Sequence, residues 1–203
     1  MRTDPLSFDP VLVGNREADA WAAYYRHEWR RFLVAAVGMV AAGLGMPPHR
    51  TLAAAWFVLR ANQVWSPYPD NRPDAARAYM RRFYELAARS GVSLEPAEAA
   101  RLEVEWWRVH RACQHEPGVT VDHIIEALVD LYAYVYCVER DAVREAAVKR
   151  VEAMDLSDQW VHAGCRRDDP LLARERRALV ASYAALRAAV ERQPPVRTMR
   201  VRR

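Results

Sequence analysis

Lysine is nearly absent from this chain: Lys149 is the one lysine among 30 basic residues, so the charge of +4 is carried by arginine against 26 acids. Such a small excess, spread over segments of mixed sign, is no nucleic-acid footprint. Glycine is scarce too, at seven. The scattered glycines build no GxxxxGK[ST] loop, no GxGxxG and no GxSxG elbow, which removes the usual phosphate, dinucleotide and serine-hydrolase signatures. The three cysteines, Cys113, Cys137 and Cys165, are far apart and lack a CxxC pair. They read as reduced thiols of a cytoplasmic protein rather than a disulfide framework or a cysteine zinc site.

Long hydrophobic runs are also missing. The uncharged stretch Phe32 to Pro48 falls short of the roughly 20 apolar residues a membrane span needs. It reads as a buried central helix close-packed through Gly38, Ala42 and Gly45, with no membrane span expected. The N-terminal segment is polar and shows no apolar signal sequence.

What is present is core material. Hydrophobic residues make up 52% of the chain, with seven tryptophans and nine tyrosines, enough for a stable packed interior. The alanine, leucine, arginine and glutamate richness favours helix. No segment sustains the period-2 alternation of a strand. The expectation is an all-α, single-domain bundle of about seven helices, with no sheet, over residues 1–192. The helices are predicted near 16–46, 50–65, 73–90, 94–115, 120–137, 140–164 and 170–192. GMPPHR, SPYPDNRP, RSGVSLEP and HEPGVT punctuate them, Ser93 is the predicted N-cap of the fourth, and Asp169-Pro170 opens the last. Residues 193–203 are expected to form a basic, disordered tail.

Polar residues on apolar stripes carry the functional signal. If residues 16–46 are one helix, Glu28 interrupts the stripe Trp21, Tyr24, Tyr25, Phe32, Ala35. A carboxylate there needs a cation, a metal or a proton. In EVEWWRVHRACQHE, residues 103–116, Trp106, Val109 and Cys113 belong to one apolar stripe, while Glu103, Trp107 and His110 run beside it. In the sixth predicted helix Asp158 interrupts a stripe and His162 follows it at i+4.

Glu28, Glu103, His110, Asp158 and His162 are therefore the candidate metal ligands or proton carriers. Iron, manganese or zinc suits such carboxylates and imidazoles on bundle helices. Tyr24, Tyr25 and Trp107 are the candidate pocket walls. No glutamate has histidine three residues on. The Glu-x6-His spacing of Glu103 and His110 is similar to one element of the heme-oxygenase-like diiron family. That family's further histidine pair flanking an aspartate falls here on Met154 and Val161 around Asp158, and neither is a ligand.

The residues alone also allow a plainer account, with buried carboxylates paired to arginines. Two functions follow. One is a helical protein whose internal polar pocket binds a metal or small molecule, with or without enzymatic chemistry. The other is a non-enzymatic interaction protein that forms a homodimer through an apolar helix face. Nucleic acid is the weakest partner, since no helix-turn-helix with a basic recognition helix is present.

Overall fold

The computed structural model describes residues 7–192. Among these, eight α-helices and no strand are found: α1 Pro10–Tyr25, α2 Trp29–Leu44, α3 Pro48–Trp65, α4 Pro73–Arg89, α5 Pro96–His115, α6 Val121–Tyr136, α7 Arg140–His162 and α8 Pro170–Arg192. Five of them begin on proline, which supplies a helical φ where no backbone donor is needed. Asp9 caps α1 by accepting from the amides of Val11 and Leu12, and Asp169 accepts from Leu171 at 2.8 Å at the start of α8, as its Asp-Pro pair predicts. The cap of α5 is Glu95, whose carboxylate accepts from the Glu98 amide at 2.8 Å, rather than Ser93. The basic tail lies outside the described residues.

The eighth helix arises because the long first helix is broken. After Tyr25 the amides of His27 and Glu28 turn back to the carbonyls of Tyr24 and Ala23, at 2.9 and 2.8 Å, and His27 takes φ 55°. This is a helix stop that usually rests on glycine. With histidine in the left-handed position, composition offers no punctuation mark to read. The start of α1 also lies further upstream than expected, at Pro10.

Each helix packs on the next, and α8 packs back against α1, so the chain closes a ring. Closure is tightest at Gly14, where an added Cβ would meet the backbone N and Cα of Val180 in α8 at 2.9 Å. The charge-free segment is α2, an ordinary member of this ring and not a central helix. Phe32, Ala35, Ala36 and Val40 face inward while Val34 is 68% exposed. Gly38 lies close against the Arg16 side chain of α1, whereas Gly45 is the left-handed C-cap of α2. No described helix is long and apolar enough to cross a membrane.

Candidate functional site

The ring has a lumen. A cavity of about 220 Å³ is lined by residues from all eight helices, from Val13 and Trp21 of α1 round to Tyr183 of α8. Its walls are mostly apolar or aromatic: Phe32, Val58, Met80, Phe83, Trp107, Leu128 and Tyr136 among them. A smaller hollow of about 80 Å³ adjoins it, and Trp21, Phe32, Asn62, Trp106 and Trp107 line both. Beyond that hollow, Tyr24, Tyr25, His110, Arg111, Gln114 and Met154 are shared with a third space of about 520 Å³, which also takes in exposed His27 and His162. The three spaces thus share walls, the cleft with the hollow and the hollow with the lumen.

Polar groups in the lumen are organised around Arg150. Its guanidinium forms a two-pronged pair with Glu17, donating from Nη1 at 2.9 Å and also from Nη2. Tyr183 donates to the same carboxylate at 2.6 Å. The guanidinium carbon lies 5.2 Å and 5.3 Å from the ring centres of Trp21 and Trp106, which hold the cation between π faces. Burial opposes charge on Arg150, yet Glu17 beside it overrides this and keeps the side chain protonated. Glu103 sits apart from that pair, accepting from the Tyr84 hydroxyl at 2.8 Å and the Trp106 indole at 3.1 Å. Burial pushes its carboxyl upward, against the pull of Tyr84, Arg150 and Trp106.

The cleft has its own polar group. Asp158 of α7 meets His110 Nε2 of α5 at 3.1 Å and accepts from Gln114 Nε2 at 2.8 Å. His162 donates from Nδ1 to the Asp158 carbonyl at 2.7 Å, which ties it to its own helix. A carboxylate that accepts from one ring nitrogen orients the imidazole, and Asp158 stands in that relation to His110 Nε2. Cys113, one turn along α5, lines the same cleft. Burial and then the Asp158 charge push its thiol up, so it is no activated nucleophile. Burial likewise raises the phenols of Tyr24 and Tyr25, with Arg111 opposing at Tyr24 and Asp158 adding at Tyr25.

The five candidate ligands therefore fall in three places. His110, Asp158 and His162 meet at the cleft, Glu103 lies in the lumen, and Glu28 belongs to neither. The break after Tyr25 turns Glu28 out of the stripe that a continuous helix would give it. It is partly exposed and bound by Arg26 at 2.9 Å, Arg31 at 3.1 Å and Arg167 of the α7–α8 connection. The hydrogen bonds from Arg26 and Arg167 hold its carboxyl down at about 2. Among the described residues no group of three or more histidine, cysteine or acidic side chains is arranged to hold a metal ion. Tyr24 and Tyr25 line the cleft and the adjoining hollow, and Trp107 lines that hollow and the lumen.

Sequence reasoning missed Glu17, Arg150 and Glu175. All three carried the same signal that picked out Glu28, a charge on an apolar stripe. Glu17 follows Val13 and precedes Ala20, Arg150 lies among Val143, Ala147 and Met154, and Glu175 precedes Leu179 and Ser182. Glu175 is fully buried between α7 and α1, neither carboxyl oxygen has a hydrogen-bond partner of good geometry, and burial raises its carboxyl to about 8. Nearby Ser157 offsets this only in part. No family model matches the chain, and neither a curated protein nor a solved structure matches it at a significant level.

Proposed function

We propose that this protein binds an apolar small molecule in the lumen of its helical ring, with the His110–Asp158 cleft as the entry side. The observation that carries this is the cavity itself: about 220 Å³, walled by every helix and mainly apolar. Close-packed interiors rarely leave voids larger than a water molecule, and apolar cavities of ~150 Å³ stay dry and take up benzene. A ligand that fills such a space supplies its lining side chains with dispersion contacts they otherwise forgo. Entry from the cleft passes the wall shared by Trp21, Trp106 and Trp107.

Gly43 offers a clean test. It lines the lumen, and an added Cβ meets nothing nearer than Val13 Cγ2 at 3.9 Å. Cumene, a neutral hydrocarbon of roughly nine non-hydrogen atoms, fits a void of this volume by scaling from benzene. Calorimetric titration is expected to show saturable one-to-one binding to the native protein. Gly43→Leu fills part of the void, and binding is expected to weaken at least about tenfold while the helical circular dichroism is retained. Absence of cumene binding by the folded native protein defeats the proposal.

A further inference from the structure

We propose that the cleft is a second binding site, which takes a small organic carboxylate with an apolar body and holds its anionic head on Arg111. The site is separate from the lumen and does not depend on what fills it. Two arginines line the three spaces, Arg150 and Arg111. Arg150 is matched by Glu17, whereas Arg111 has no acidic side chain within ion-pairing distance among the described residues. The acids of the cleft are engaged elsewhere. Asp158 is met by His110 and Gln114, and Asp155 accepts from Gln159 at 2.7 Å.

What holds Arg111 in place is aromatic. Its guanidinium carbon lies 6.0 Å from the ring centre of Trp65 and 5.2 Å from that of Tyr68. His115 stacks on Tyr68 with ring centres 4.1 Å apart and so backs that wall. Rings at this range attract the cation without using up its N–H donors. The Tyr24 phenol is the remaining contact: burial raises it, and Arg111 opposes the rise by its charge and a hydrogen bond. Arg111 is half-buried and lines both the cleft and the adjoining hollow. A guanidinium so placed suits one carboxylate, which it grips by two parallel hydrogen bonds. Asp155 and Asp158 limit the charge a ligand can bring, since a phosphate dianion would meet two acids with one arginine to match it. The cleft also lays Ile124, Val151, Met154 and Val161 beside Tyr24 and Tyr25, which gives an apolar body its cover.

The probes are 3-phenylpropanoate and its neutral amide, each of roughly eleven non-hydrogen atoms, a size the cleft admits by scaling from benzene. Calorimetric titration of the full chain is expected to show the acid bound about tenfold more tightly than the amide. In Arg111→Gln the acid is expected to bind about tenfold more weakly, while amide affinity and helical circular dichroism are retained. Gly43→Leu, which narrows the lumen, is expected to leave both affinities unchanged. Absence of acid binding, equal binding of acid and amide by the native protein, or an acid affinity that Arg111→Gln does not lower overturns the site. The comparison within the native protein decides even where the variant fails to fold. Acid binding that Gly43→Leu weakens overturns the placement in the cleft, and inorganic phosphate that displaces the acid at equal concentration overturns the choice of a monoanion. Cumene tests the lumen on its own: absent cumene binding with the preference for the acid intact defeats the lumen reading and leaves the cleft site standing.

Discussion

Glu175 shows what a single side chain can impose on the whole. Its carboxyl is fully buried beside Ser157 and lies at about 8 in the folded protein, against an ordinary value of 4.5. Folding therefore holds a proton that the unfolded chain releases. The stability from neutral Glu175 is complete below about pH 4.5 and declines by about 1.4 kcal/mol per pH unit as the pH rises toward 8. Above that the loss levels off, because both states are then ionised. Glu175→Gln keeps the shape and removes the ionisation. Urea unfolding at pH 5 and pH 8 is expected to show a clear loss of stability for the native chain and a much smaller one for the variant. Equal slopes would mean that Glu175 finds a compensating partner.

At the scale of elements, the helix boundaries are set by short-range rules and the seams by close approach. Proline at the first turn and aspartate or glutamate caps explain most starts. Two stops, after Tyr25 and after Tyr136, use His27 and Cys137 in the left-handed region at φ 55° and 52°. That geometry suits glycine, so neither stop is marked in the composition. The α1–α8 seam depends on Gly14. A methyl there would collide with the backbone of Val180, which cannot swing aside as a side chain can. Gly14→Ala should raise helix propensity by about 1 kcal/mol yet cost about 1–3 kcal/mol in overpacking. A lower melting temperature is the expected net result. A higher one would show that α8 shifts freely and that the ring is not closed tightly there.

At the scale of the molecule, one ion pair joins elements distant in sequence. Arg150 of α7 reaches Glu17 of α1, with Tyr183 of α8 on the same carboxylate, so three neighbouring members of the ring share one buried charge pair. Removing one partner leaves the other charge buried alone. Arg150→Met is expected to cost about 3–5 kcal/mol, whereas the double variant Glu17→Leu/Arg150→Met should recover much of that loss. Denaturant unfolding of the single and double variants measures both values. Additive losses would show that the two residues contribute independently.

The all-helical class and the approximate position of most helices were legible in the sequence, because apolar periodicity, proline starts and the lack of alternating stretches are local properties. Parts of the site were legible for the same reason. His110, Asp158 and Trp107 stood on or beside apolar stripes, and each lines at least one of the three adjoining spaces. Tertiary structure decided the rest. It split the first helix at His27, which sent Glu28 to three arginines instead of the core. It joined α8 to α1 around a mainly apolar lumen, where an internal polar pocket of carboxylates and histidines was expected. Periodicity reports only which face of a helix turns inward. Which charges meet there, and whether space is left between them, depends on contacts between helices far apart in the chain, such as Glu17 and Arg150 at 133 residues' separation.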